Sequence, residues 1–159
     1  MRRELIGALI VVLAAAGAAF AADTPGTTPG FPAPSAADTD LATARARIQT
    51  GDWTAAADGL QKAIARDPRN ADYHNLLAYA IRKGPAPDMD RVFKHYTEAL
   101  RLDPKHRGAH EYIGEAYLMM GNLAKAREHL AALDKLCFFS CEEYRDLKRA
   151  IERFESTKR

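Results

Sequence analysis

The two cysteines, Cys137 and Cys141, have the most distinctive chemistry in this sequence, because they are its only thiols and lie four residues apart. Thiolates are soft ligands that suit cuprous ion, and a close thiol pair can also undergo redox exchange. In an exported protein, however, a lone cysteine pair usually forms a structural disulfide. We therefore expect a disulfide between Cys137 and Cys141, with metal binding or thiol redox chemistry as the alternative.

The five histidines offer a second set of candidate ligands. His106 and His110 have the i, i+4 spacing that can clamp a metal on one helix face. His106 follows a proline and a lysine, so we expect it to precede the helix, and we predict no metal site there. His74 and His110 occupy equivalent places in repeated segments and are expected to pack, whereas His95 and His129 are expected at the surface.

The remaining composition argues against catalysis and against nucleic-acid binding. The sequence contains no Ser/His/Asp or Cys/His catalytic arrangement, no glycine-rich phosphate loop and no paired-carboxylate signature. Subtracting Arg2, Arg3 and Glu4 from its 23 basic and 21 acidic residues leaves 21 against 20. Nucleic-acid binding favours a basic stripe instead. We expect a protein that is not an enzyme, has no cofactor and binds no nucleic acid.

Residues 1–22 have the pattern of a secretory signal peptide. Two arginines precede an apolar run from residue 5 to residue 20, and an A-x-A arrangement ends at Ala21. The run of about 16 residues is shorter than the ~20 that a spanning helix needs, which disfavours a retained membrane anchor. We expect cleavage near Ala21 or Ala22 and release into the periplasm without stable membrane insertion. The arginine pair leaves open whether export follows the general or the twin-arginine route.

Residues 23–38 are expected to form a disordered linker. The segment contains four prolines among Thr, Gly, Ala and Ser. Such a composition cannot bury enough apolar surface to offset its ordering entropy. The folded part of the chain should therefore begin near residue 39.

Residues 39–136 are organised as a sequence repeat. The stretches AIARDP at 63–68 and ALRLDP at 99–104 are near copies set 36 residues apart, and each closes an amphipathic run. A fixed period of this size indicates stacked helical hairpins. The predicted units, each helix, turn and helix, cover residues 39–70, 71–106 and 107–136.

The residue pattern within the units resembles that of the tetratricopeptide repeat (TPR) family over residues 39–136. The third unit carries the clearest match, with the positions His110, Ile113, Gly114, Tyr117, Gly121, Ala126 and Leu130. The resemblance implies an all-α fold, in which three helical hairpins form a right-handed superhelix. Its concave face would be lined mostly by the first helix of each unit.

Packing and capping residues support the same hairpins independently of the resemblance. Small side chains fall where paired helices must approach closely, at Ala44, Ala56, Ala78, Val92, Gly114 and Ala126. Residues that can cap a helix precede the helical runs, at Asp52, Asn70, Asp88 and Asn122. Pro68 and Pro104 should end helices, because a residue before proline avoids the helical region.

Residues 137–159 depart from the repeat. Ser140 and Glu143 have the spacing of a capping box, so we expect a helix from Cys141 onwards. Its apolar face would carry Tyr144, Leu147, Ile151 and Phe154. Such a helix would cover the exposed end of the repeat array, and the cysteines would bracket the corner before it.

The family resemblance also implies which residues line the concave groove. The inward-facing positions are Arg45, Ile48, Asp72, Asn75, Tyr79, Arg82, Glu111, Tyr112, Glu115 and Met119. TPR domains that bind the acidic tails of chaperones use a clamp of Lys, Asn and Arg, but here Gly108 and Tyr112 stand at matching places. The mixed groove suits a polypeptide with apolar and charged groups. We expect an exported, non-catalytic adaptor for a protein or peptide of the cell envelope. Self-association is a further alternative, as is metal or thiol handling by the cysteines.

Overall fold

The computed structural model describes residues 34–157, which form helices throughout and contain no strand. Consecutive helices form three antiparallel hairpins, α1 with α2, α3 with α4 and α5 with α6, and α7 packs against α5 and α6. The helices are α1 Ala36–Gln49, α2 Trp53–Arg66, α3 Ala71–Lys83, α4 Met89–Leu102, α5 Arg107–Met119, α6 Leu123–Leu136 and α7 Glu142–Ser156. The all-α prediction is confirmed. Because α3 contacts both α1 and α5, the first helices of the hairpins form one continuous face.

The predicted caps act at the starts of α2, α3, α4 and α6. Each side-chain oxygen accepts a hydrogen bond from the backbone N–H three residues later, at 3.1 to 3.2 Å. These bonds satisfy N–H groups that have no partner within the helix. The tight turns after α1 and α5 place Gly51 and Gly121 at φ +75°, a conformation that glycine adopts without strain.

The predicted small residues lie in the core, where helices approach most closely. Ala56, Ala78 and Ala126 are completely buried. Gly114 has a particular role, because a Cβ atom there would come within 2.6 Å of a methyl group of Leu147 on α7. Gly114 therefore leaves the space on α5 into which Leu147 of α7 packs.

The start of α1 lies within the segment that we expected to be linker. Ser35 Oγ accepts a hydrogen bond from the Asp38 backbone N–H, and the Asp38 carboxylate accepts one from the Ser35 backbone N–H, both at 3.1 Å. This reciprocal capping box begins the helix at Ala36. The expected signal peptide and the rest of the expected linker lie outside the described residues. None of the helices described in residues 34–157 combines the length and the apolar content that a membrane span requires.

The predicted capping box at Ser140 is wrong. Ser140 adopts φ +51°, and the residue that caps α7 is Cys141, whose side chain makes no capping hydrogen bond. A capping residue needs an extended backbone, which directs its side chain towards the first turn. The left-handed conformation of Ser140 does not meet this requirement, so the helix begins one residue later, at Glu142.

Candidate functional site

The face formed by α1, α3 and α5 contains an aromatic cavity of about 240 Å³. Tyr79 and Tyr112 form one wall, with their ring centroids 4.6 Å apart. Ile48, Leu76 and Arg45 contribute the opposite sides. We call this space the aromatic cavity. It offers apolar contact together with phenol hydroxyl groups, a combination typical of protein-binding surfaces.

Arg82 lies beside the Tyr79 and Tyr112 rings and is only 7% exposed. Its Nη2 donates to Glu115 Oε2 at 2.7 Å, and its Nε donates to the Tyr96 hydroxyl at 3.3 Å. The guanidinium carbon lies 5.4 Å from the Tyr79 ring centroid and 5.9 Å from that of Tyr112. A cation at these distances is attracted to the ring faces. Arg82 and Glu115 therefore hold the groove in shape, in addition to any contact with a ligand.

Met119 marks the far end of the groove. Its side chain is largely exposed, and Arg82 Nη1 lies 3.8 Å from its sulfur. Leu118 and Phe154 line the same shallow depression, which thus joins α5 to α7. The terminal helix extends the groove beyond the three hairpins.

At the opposite end lies a second cavity of about 340 Å³, where α3, α5 and α7 meet. Its charged residues are mainly carboxylates, with Arg45 and His106 as the basic groups at its edge. We call it the acidic pocket. Its carboxylates are Asp72, Glu111, Glu142, Glu143 and Asp146.

His106 is held at the rim of the acidic pocket by two hydrogen bonds. Its Nδ1 accepts a hydrogen bond from the Ala109 backbone N–H at 3.1 Å and so caps α5. Its Nε2 donates to Asp72 Oδ1 at 3.2 Å. That hydrogen bond holds the pKa of Asp72 below its usual value. The histidine therefore joins the start of α5 to α3.

Two polar residues of the acidic pocket, Asn75 and Glu111, lack a side-chain partner that their burial would lead one to expect. Glu111 is 8% exposed and makes no hydrogen bond or ion pair with any described residue. Burial, followed by repulsion from Glu115 and Asp146, raises its pKa to about 8. Asn75 is 4% exposed, and its Oδ1 is buried without a hydrogen-bond partner. Buried polar groups are normally paired, so these two mark an unusual site.

The structure thus divides the predicted groove residues among the aromatic cavity, the acidic pocket and the depression at the far end. Arg45 and Tyr112 border both, and Ile48 and Tyr79 belong to the aromatic cavity. Asp72, Asn75 and Glu111 belong to the acidic pocket, whereas Arg82, Glu115 and Met119 lie towards the far end. The sequence analysis missed Glu142, Glu143 and Asp146 of α7. Their i, i+1 and i+4 spacing shows that they share one side of that helix, but it does not show which neighbour that side faces.

The histidines form two equivalent pairs that the sequence analysis also missed. His74 Nδ1 lies 3.0 Å from His95 Nδ1, and His110 Nδ1 lies 3.0 Å from His129 Nδ1. In each pair the first histidine also contacts the carbonyl oxygen of a helix-ending proline through Nε2, at 3.1 Å. His95 and His129 are partly buried, contrary to the expected surface positions. Burial, and then the neighbouring imidazole, lowers the pKa of each to about 4.

The cysteines lie at the corner between α6 and α7, with their sulfur atoms at bonding distance. Phe138 and Phe139, which directly follow Cys137, are almost fully exposed. Among residues 34–157, no group of three or more His, Cys, Asp or Glu side chains is placed to hold a metal ion. The structural disulfide remains a prediction that thiol titration can test.

Comparison with known proteins agrees with this geometry. Two tetratricopeptide repeat models match the chain, one over residues 41–88 and the other over residues 88–151. The chain belongs to the tetratricopeptide repeat family. The two matches together run from residue 41, within α1, to residue 151, within α7.

Two relatives share the TPR sequence over part of this chain. A TPR repeat-containing protein of Pseudomonas aeruginosa is 33% identical over 73 residues, 45% of this chain and 66% of that protein. The TPR repeat-containing thioredoxin TTL4 of Arabidopsis thaliana is 28% identical over 99 residues, 62% of this chain. The chain spans only 14% of the length of TTL4.

Among solved structures, the fold is similar to that of the Yersinia enterocolitica type III secretion chaperone SycD in complex with a peptide of the translocator YopD. The TM-score is 0.63 with 17% sequence identity, and the match covers 77% of this chain and 95% of that chain. At this level of identity, the likeness concerns the TPR fold.

Proposed function

We propose that this TPR protein is an exported, non-catalytic adaptor that holds a segment of a partner protein in its concave groove. The aromatic cavity carries the proposal, because Tyr79 and Tyr112 offer adjacent rings on a face of α3 and α5 that Arg82 holds in place. Rigid aromatic side chains of this kind dominate many binding interfaces. The SycD complex supports a peptide as ligand, since that fold was solved with a bound peptide.

Export is a separate part of the proposal and rests on residues 1–22. Their basic start, apolar run and A-x-A end support a signal peptide, so the partner would belong to the cell envelope. N-terminal sequencing of protein recovered from the periplasm tests this part. A mature end near Ala22 is expected, whereas recovery of the uncleaved chain from the cytoplasm would contradict export.

Photo-crosslinking in intact cells tests the groove. A photoreactive residue replaces Tyr79 inside the groove, and a matched one replaces Lys125, which is exposed on α6. We expect a discrete adduct from position 79 that is absent from position 125. Identical adducts from both positions, or none from position 79, would argue against the groove as a binding site.

A further inference from the structure

We propose that the acidic pocket receives a lysine or arginine side chain of the bound segment, with an apolar neighbour of that residue in the aromatic cavity. The inference rests on the proposed function, since it assigns a ligand chemistry to one end of the same groove. It makes this TPR protein selective for basic segments.

The charges that face the pocket favour a cation. Several of its carboxylates already have partners: Asp72 with His106, Glu143 with Arg107, and Asp146 with Arg149. Glu111 and Glu142 remain without an ion pair in the described structure. Arg45 at the edge is the pocket's own permanent cation. A cation in the pocket would be attracted to Asp72 and Glu142 and would favour the ionised form of Glu111, whereas an anion would be repelled.

The burial of Glu111 supplies an observation that is independent of net charge. The residue is more than nine-tenths buried, yet no described side chain or backbone group donates to its carboxyl group. A lysine ammonium offers three N–H donors and an arginine guanidinium five. A bound cation would therefore give the Glu111 carboxylate a donor that the pocket's own residues do not supply.

The shape of the groove supports a side chain in preference to a free ion. Arg45, Leu76 and Tyr112 border both cavities, so the two adjoin each other. The aliphatic stem of lysine or arginine can lie along these apolar groups while its charged end enters the pocket. In the described part of the chain, the acids are not arranged as a metal site.

Selection of peptides tests the proposal. A phage-displayed library of random heptapeptides is selected on wild-type protein, on Glu111→Gln and on Glu152→Gln. Glu152 is an exposed carboxylate of α7 outside the pocket, so its variant is a matched control for loss of charge. We expect lysine or arginine enriched at one position beside an apolar residue with wild type and with Glu152→Gln, and no such enrichment with Glu111→Gln.

A double-mutant cycle then measures the contact. The best selected peptide is synthesised with its basic residue intact or replaced by norleucine, and binding is followed by fluorescence anisotropy. Removing one partner of a buried charge pair should weaken binding to wild type by about tenfold or more. The same replacement should change binding to Glu111→Gln by less than about twofold, since the pairing is already absent. Equal losses with both proteins would overturn the proposal.

The outcomes separate this inference from the proposed function. Enriched peptides without a basic preference would overturn the acidic pocket as a cation site and leave the groove function intact. No enriched peptide at all would count against both. A second copy of the chain could also supply a cation from Lys158 or Arg159. If wild type sediments as a dimer and a variant ending at residue 157 as a monomer, a self-association site replaces the partner site.

Discussion

Replacing Glu111 by glutamine should stabilise the protein at neutral pH, because the native structure holds this carboxylate without a partner. Its pKa rises from 4.5 to about 8 on folding. The folded state therefore keeps a proton that the unfolded state loses, and stability falls as pH rises from 4.5 to 8. At pH 7 the raised pKa of Glu111 lowers the free energy of unfolding by at most about 3 kcal/mol, at 1.36 kcal/mol for each pH unit between 4.5 and 7.

Water that reaches the pocket reduces this limit, so we expect Glu111→Gln to gain about 1 to 3 kcal/mol at pH 7. For a domain of this size the melting temperature should rise by about 4 °C per kcal/mol. Thermal unfolding followed by circular dichroism at pH 7 and pH 4.5 measures the effect. The gain should fall to a few tenths of a kcal/mol at pH 4.5, where the carboxyl group is protonated in the folded state and only half ionised in the unfolded state.

Glu152→Gln is the control for this measurement, since its carboxylate is exposed and should change stability by less than about 0.5 kcal/mol. A Glu111→Gln variant no more stable than wild type at pH 7 would refute the reasoning. An equal gain at both pH values would also refute it, because the effect would then not come from ionisation. The expected gain, together with loss of basic-peptide binding, would show that the buried acid serves recognition at the expense of stability.

Three further outcomes follow from the terminal helix and the histidine pairs. Leu147→Ala should lower the unfolding free energy by about 2 to 5 kcal/mol in urea titration, because it empties the contact over Gly114; a loss below about 1 kcal/mol would mean that α7 contributes little to the fold. Reduction of the Cys137–Cys141 link should lower stability by about 2 kcal/mol from chain entropy, and an unchanged melting temperature with dithiothreitol would contradict a structural disulfide. His95 stays neutral in the folded state down to about pH 4, so its contribution to stability is complete above pH 6.5 and is lost as pH falls towards 4. His95→Asn should therefore reduce the acid sensitivity of the urea midpoint by about 1 kcal/mol between pH 7 and 5, after allowance for solvent screening of a partly buried ring; identical pH slopes would exclude this role.

Local rules predicted most of the repeat architecture. Asp52 and Asn122 cap helices as their side chains suggest, and the helix-ending prolines lie where the hairpins end, because these features depend on neighbours within a few residues. The start at Ala36 was missed, although the Ser35 and Asp38 capping box is equally local, because the proline-rich composition before it suggested a linker. Ser140 failed as a cap for a different reason. Its backbone conformation depends on how the corner connects two packed helices.

The acidic pocket could be predicted only in part. Asp72 and Glu111 lie on the first helices of repeat units, so the family pattern indicates that they face inward. The acids of α7 reach the same space because Leu147 packs over Gly114, and this contact joins residues far apart in sequence. Asn75 was expected in the groove, but that its amide oxygen lacks a donor is a property of the complete packing.

Because α7 forms one wall of the acidic pocket, the part of the chain that ends the array also helps to set its selectivity. A chimera in which a fourth repeat replaces α7 would retain the aromatic cavity of α1, α3 and α5 and lose Glu142, Glu143 and Asp146 from the neighbouring pocket. Conversely, α7 could be grafted onto the end of another TPR array that has a glycine at the position of Gly114, so that Leu147 can pack there. The graft would transfer Glu142, Glu143 and Asp146 to that array. The terminal helix is in this sense an exchangeable recognition module, and the repeats are the frame that presents it.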